Sequence, residues 1–255
     1  MYRSVVLMLS VGIALMSTTT NAEGPAFPQR FPWGRIVVAG MAVELHVTTF
    51  PENGVVAVPR FNSPYQRIYL KSDPKKTALD FGAGVKEWLV TLPPSPNDAA
   101  IVVIETVGKP QLLTKPFVIE ATPEGTYLLP AHFAVVHGEK LRYEPQPHKN
   151  TVGYWHNEND WCEWKLKIPQ PGKYDVYVQQ GCGKGHGGSE VEVKIGESRL
   201  AFTVEDTGHF QNFKERQVGT LKIAKANEGS LQLRPISKAS VAVMDVRRIR
   251  LVPVP

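Results

Sequence analysis

Only two cysteines, Cys162 and Cys182, occur among the 255 residues. That is too few for the dense disulfide framework of a small secreted domain. A closed zinc site is excluded as well, because none of the seven histidines stands at a spacing that would complete it. Long stretches of period 3.6 are missing, which excludes a helical bundle or a coiled coil. The one sizeable apolar run, at 5–16, is too short to cross a membrane comfortably, and no second candidate follows it. Charge of a single sign does not dominate either. The 29 Lys and Arg against 24 Asp and Glu leave a net +5 with both signs interspersed. The one basic run, Arg247-Arg248-Ile249-Arg250, lies on an alternating segment where period two places successive charges on opposite faces. A nucleic-acid patch needs them on one face with aromatics between them, so no nucleic-acid partner is expected. The glycine-rich stretch GCGKGHGGS (181–189) lacks the Gly-Lys-Ser/Thr ending of a phosphate cradle and reads as a loop between strands. No Ser/His/Asp arrangement and no repeat of fixed period is found.

What is present points to strands. The 21 prolines and 21 glycines, with a fair share of Val and Thr, belong to an all-β chain. Arg3, the apolar run at 5–16 and Thr20-Asn21-Ala22 make a signal peptide cleaved after Ala22, which predicts a secreted or periplasmic protein with no membrane span in the mature chain. No cysteine near that site suggests a lipoprotein. Alternating runs then appear at 35–39, 43–50, 55–58, 67–71, 87–92 and 100–106, separated by the turn signals PENG (51–54), SDPKK (72–76) and PPSPND (93–98). Pro110, Pro116 and Pro123 loosen the pattern after that. The predicted organisation is a β-sandwich at 23–112, a linker at 113–126 and a second, jelly-roll-like antiparallel sandwich at 127–255.

The second unit carries the stronger signals. Cys162, Trp164, Leu166 and Ile168 share one parity in the first run, as Tyr174, Val176 and Val178 do in the second. PQPG (169–172) and IGES (195–198) are the turns between runs. If PQPG closes a simple hairpin, Cys182 falls a few residues past the partner of Cys162. The two then either form a disulfide across a bulge or remain buried thiols. Trp155, Trp161, Phe210 and Phe213 fall where strands meet loops, the layout of an aromatic rim that stacks on sugar rings.

The segments VELHVTTFPENGVVAVPRF, RIYLKSDPKKTALDF and GVKEWLVTLPPSPNDAAIVVIETVG resemble the β-sandwich that follows the catalytic barrel in family-twenty-nine α-L-fucosidases. DWCEW, PGKYDVYV, GCGKGHGGSEVEV, VEDTGHFQNF and VAVMDVRRIRL are similar to galactose-binding-like sandwiches of carbohydrate-binding-module families six and thirty-five. The resemblance implies the accessory region of such an enzyme. A catalytic barrel takes about 250 residues, and the fucosidase-like tail begins soon after the predicted signal peptide, so no catalytic centre is expected. An α-L-fucosidase activity is the reading that similarity alone would suggest.

The residues predicted to bind glycan are Trp155, Asp160, His186, His209 and Phe210. Trp155 is the expected exposed aromatic. Phe210 stands where related modules carry a stacking Trp, and His209 replaces a glycine beside it. His186 belongs to the glycine-rich loop, and Phe213 is expected in the core. Asp160 can offer a hydrogen bond or cap a loop; its parity opposes that of Glu163, so the two do not form a catalytic pair across a sugar. The resemblance also implies a structural calcium held by Asp245 on the last strand, with His132 where the family has Glu and Glu139 as a substitute. No other cofactor is expected. The reading is an exported, non-catalytic glycan- or polysaccharide-binding protein. Its rivals are a module that docks on a separately encoded hydrolase or an envelope component, through apolar surface on the first sandwich, and a hydrolase with an unrecognised site.

Overall fold

A computed structural model describes residues 30–61, 63–94, 99–110 and 115–255. The predicted signal peptide at 1–22 lies outside the described residues. The chain is all-β, its one helical element a single 3-10 turn at Ala131–Phe133 among the described residues.

The first sandwich contains β1 (Gly34–Ala39), β2 (Ala42–Val47), β3 (Val55–Pro59), β4 (Tyr65–Leu70), β5 (Phe81–Ala83), β6 (Glu87–Thr91) and β7 (Ala100–Thr106). One sheet runs β1-β2-β7-β4 and the other β3-β6-β5. Alternation does the work the sequence promises: in β2, Val43, Leu45 and Val47 are buried, and in β6 so are Trp88 and Val90. Trp88 centres the core, with Phe61 edge-on at 4.9 Å and Phe81 at 5.5 Å.

The second sandwich contains β8 (Val118–Ile119), β9 (Tyr127–Pro130), β10 (Val135–His137), β11 (Arg142–Glu144), β12 (Thr151–Gly153) and β13 (Trp161–Ile168), followed by β14 (Gly172–Cys182), β15 (Glu190–Ile195), β16 (Ser198–Thr203), β17 (His209–Ile223), β18 (Asn227–Ser237) and β19 (Asp245–Val254). One sheet has the order β10-β13-β18-β15-β16 with β8 parallel to β13. The other is β11-β12-β19-β14-β17 with β9 on β19. Strand β8 thus lies inside the stretch read as a linker and is hydrogen-bonded into the second sandwich.

PQPG does not close a hairpin. Strand β13 pairs with β10 and β18, whereas β14 pairs with β17 and β19, so this connection carries the chain from one sheet to the other. Period two fixes which face of a strand is buried but not which strand lies beside it. Consequently Cys162 and Cys182 lie in opposite sheets, and both are buried free thiols. Burial pushes the Cys162 thiol up and raises that of Cys182 to about 11, which keeps both protonated and unreactive. IGES does close a hairpin, with Ile195 opposite Ser198 and Gly196 at φ +55.

A register shift in β19 opposite Gln179 and Gln180 overturns the expected alternation of the arginines. Arg247 stacks on Phe213 at 3.8 Å, while Arg248 and Arg250 both bind Glu215. Phe213 and Glu215 share a parity on β17, so all three arginines reach one face. Phe213 is accordingly half-buried beneath a guanidinium rather than a core residue.

Arg60 joins the two sandwiches. It is buried, its Nη2 donates to the carbonyl oxygen of Ala134 at 3.0 Å, and its guanidinium lies 4.8 Å from the Tyr143 ring centre. Burial lowers its pKa to about 10.

Candidate functional site

The loop end of the second sandwich holds a pocket of about 160 Å³, lined by Glu144, Lys149, Tyr154, Trp155, His156, Phe210, Gln211, Val241, Ala242 and Asp245. It begins where β12 ends. A Cβ on Gly153 would come within 2.6 Å of Asp245 Oδ1 and 3.1 Å of Glu144 Oε2, so the absent side chain is what admits both carboxyl groups. Tyr154 then adopts φ +59, a left-handed conformation uncommon for an aromatic residue. The turn leaves Tyr154 44% exposed, with the Arg142 guanidinium 3.7 Å from its ring centre and His156 edge-on at 4.5 Å.

Trp155 is turned the opposite way. It is wholly buried, its Nε1 donates to the carbonyl oxygen of Asp160 at 2.9 Å, and its own carbonyl accepts from the Val243 amide. The expected exposed aromatic is therefore part of the pocket's foundation, and its neighbour Tyr154 takes the exposed place. Phe210, at the start of β17, lines the pocket half-buried; the His186 ring is 5.5 Å away and tilted. A Cβ on Gly183 would come within 2.6 Å of the Phe210 ring, so the glycine-rich loop seats this aromatic. That loop is pinned by Asp206, which accepts from the Gly185 and Gly208 amides, and by His186 Nδ1 with Ser240 Oγ at 2.9 Å.

Polar groups make up the floor. Asp245 is 4% exposed, and burial together with the neighbouring Glu144 raises its pKa to about 8. In the protonated form that this shift favours it can donate, beside the bonds it makes with the Gln211 side chain and the Tyr154 backbone. Glu144 is held by Lys149 Nζ at 3.0 Å and flanked by Arg142 Nε at 3.8 Å. A hydroxyl donor, a carboxylate acceptor and an ammonium thus converge beside two aromatic rings. This combination suits a small polyol with one apolar face.

The remaining predicted residues sort differently. Asp160 is buried and accepts from the amides of Glu139, Lys140 and Leu141 at 2.9, 2.7 and 2.7 Å. It caps a loop and offers nothing to a ligand. His209 is exposed, accepts the Gln211 amide on Nδ1 at 3.1 Å and does not line the pocket. Trp161 has no free face: His137 stacks on it at 3.8 Å and the Arg234 guanidinium lies 3.5 Å from its ring centre.

The calcium set is not gathered either. Asp245 faces Glu144 and Lys149, so an ammonium already serves the neighbouring carboxylate. His132 instead packs on Phe133, and burial and then the nearby Arg60 lower its pKa to about 4. Glu139 belongs to the loop that Asp160 caps. Among the described residues no group of three or more His, Cys, Asp or Glu is placed to hold a metal.

Sequence reading missed Tyr154, Glu144, Lys149 and Gln211. The one available signal was the Gly-Tyr-Trp triplet at 153–155. A glycine followed by two aromatics marks a backbone reversal, but not which ring it turns outward.

No family model and no curated protein matches the chain. Among solved structures, the α-L-fucosidase from Vibrio sp. strain EJY3 is similar at 16% identity and a TM-score of 0.36, over 89% of this chain and 41% of that one. The C-terminal CBM6 of LamC, a laminarinase from Zobellia galactanivorans, is similar at 21% identity and a TM-score of 0.41, over 50% of this chain and 98% of that one. The GH26-CBM35 β-(1,4)-mannanase of Podospora anserina is similar at 14% identity and a TM-score of 0.38, over 52% of this chain and 28% of its own. The chain therefore spans less than half of the fucosidase it resembles. No helix among the described residues is long and apolar enough to cross a membrane.

Proposed function

We propose that the protein is an exported, non-catalytic glycan-binding module that takes a sugar residue into the pocket lined by Tyr154 and Phe210. The observation that carries this reading is the meeting of two accessible aromatic rings with the buried carboxyls of Asp245 and Glu144 and the half-buried Lys149. A pyranose presents one face of C–H groups and a belt of hydroxyls, and this pocket offers a partner to each. The pocket is small for a drug-sized ligand, which typically needs about 300 Å³ or more, and suits a single ring. The non-catalytic part of this reading is supported by the tie between Glu144 and Lys149 and by the closeness of both carboxyls to Gly153, unlike the wider spacing of two carboxyls placed across a glycosidic bond.

The test is a glycan array, followed by affinity electrophoresis in the polysaccharides it identifies. A single aromatic contact contributes on the order of 0.5–1.5 kcal/mol, so Tyr154→Ala and Phe210→Ala should each weaken binding several-fold to about tenfold with the melting temperature unchanged. Unaltered binding in both variants rejects the pocket. Turnover of an aryl α-L-fucoside that scales with protein and vanishes in Glu144→Gln rejects the non-catalytic reading.

Docking on a separate hydrolase remains a second reading because of one apolar grouping. The expected location was the first sandwich. The first sandwich does expose Val38, Met41 and Val107, but the ring-on-ring grouping is on the second, where Phe117 stacks on Phe133 at 4.1 Å beside exposed Val118 and Leu128. Co-purification with a hydrolase that is lost in Phe117→Ser/Leu128→Ser would favour it.

A further inference from the structure

We propose that the outward face of β19, β14 and β17 binds a sulfated polysaccharide, at a surface separate from the Tyr154–Phe210 pocket. Three strands side by side present five cations there, Lys173, Lys222, Arg247, Arg248 and Arg250, against two carboxylates, Asp175 and Glu215. The register fixes the placement. Asp175 lies opposite Thr220 and accepts its hydroxyl, Tyr177 lies opposite Gln217 and donates to it, and the interleaved Tyr174, Val176 and Val178 fill the core.

The excess does not simply follow from the basic composition of the chain. On the opposite sheet, the outward positions of β13, β18, β15 and β16 carry Lys165, Lys167, Lys194, Arg199 and Arg234 against Glu163, Glu190, Glu192 and Glu228. That face is nearly neutral. The β19 bulge supplies half of the difference, since it brings Arg247, which also donates to the His148 and Lys149 carbonyls, onto the same side as Arg248 and Arg250.

Two features match the arginines to a sulfated chain. Arg248 and Arg250 converge on Glu215, with Nε atoms at 3.1 and 3.2 Å from one oxygen and Arg250 Nη2 at 2.8 Å from the other. A single carboxylate cannot neutralise two guanidinium groups, and a sulfate offers further oxygens to the same forks. From Lys173 to Gly181 the stripe runs on the order of 25 Å, long enough for several sugar units. Tyr177, Gln179 and Gln217 lie along it as partners for hydroxyls. Phe213, the aromatic of this face nearest the arginines, is covered by the Arg247 guanidinium and so is not free to stack on a base, which favours a glycan over a nucleic acid.

The probe is dextran sulfate, titrated against the full protein with uncharged dextran as control. Wild type should bind the sulfated polymer and ignore the uncharged one. Arg248→Ala/Arg250→Ala should bind at least tenfold more weakly, and the salt slope should fall by about one per cation removed. Lys165→Ala/Lys194→Ala on the other sheet should change little. Glu215→Gln should strengthen binding several-fold, a gain that a misfolded protein does not show. Unchanged affinity in the double arginine variant, or an equal loss in the lysine variant, overturns the proposal. Equal binding of polygalacturonate overturns the assignment to sulfate, and equal binding of single-stranded DNA overturns the assignment to a glycan. Failure here leaves the pocket reading intact, because none of these residues lines the pocket.

Discussion

Tyr154 and Trp155 are neighbours with opposite fates, and the φ of +59 at Tyr154 separates them. Trp155→Ala should unfold the second sandwich, since emptying a buried aromatic site costs about 3–5 kcal/mol; a variant with native melting temperature and lost binding would return Trp155 to the rim. Asp160→Ala strands three amides, each worth on the order of 1–3 kcal/mol when left buried and unpaired, and should lower the melting temperature without selective loss of binding. Two residues give opposite pH signatures. His132 has a folded pKa of about 4, below its ordinary value. Its contribution to stability is complete above pH about 6.5 and is lost as pH falls toward 4. Asp245 has a folded pKa of about 8, above its ordinary value. Its contribution is complete below pH about 4 and is lost progressively as pH rises to about 8. Melting curves across pH should therefore lose part of their decline between pH about 6.5 and 4 in His132→Gln, and part of their decline between pH about 4 and 8 in Asp245→Asn.

At the scale of elements, the alternating strands were legible and their partners were not. Every second residue of β13, and of β14 from Tyr174 to Gln180, is buried as period two requires, yet the PQPG connection crosses between sheets. The thiol chemistry follows from that crossing. Thiol titration should find no reactive cysteine in the native protein and two after denaturation, with the same electrophoretic mobility with and without reductant. A disulfide-dependent shift would place β13 beside β14 after all. Gly153 belongs to this scale as well: Gly153→Ala should abolish pocket binding by pressing on Asp245 and Glu144 while the strands stay formed, as seen by circular dichroism.

For the molecule as a whole, Arg60 is the element of the first sandwich held inside the second. Its cation lies against carbonyl oxygens and the Tyr143 ring rather than a carboxylate. Removing it leaves the Ala134 carbonyl unpaired and a gap at the junction. Calorimetry should show one cooperative transition in the wild type and two in Arg60→Ala; two transitions in the wild type would mean that the sandwiches unfold independently. Arg60→Met, which fills the gap without charge, should restore much of the stability.

The sequence by itself determined the all-β class, the buried faces of the strands and the IGES hairpin, because alternation and turn residues act over a few neighbouring positions. It also brought Phe210 and Asp245 to notice, though with a metal role for Asp245 that the structure does not gather. Only the tertiary structure decided which sheet each strand joined, since pairing depends on segments far apart in the chain. It alone turned Tyr154 rather than Trp155 outward, and it alone placed Glu144 and Lys149 beside Asp245. The arginines of β19 show the reason most plainly. Parity within a strand predicts opposite faces, but one extra residue in the ladder shifts that parity, and nothing local in the sequence marks where a neighbouring strand imposes it.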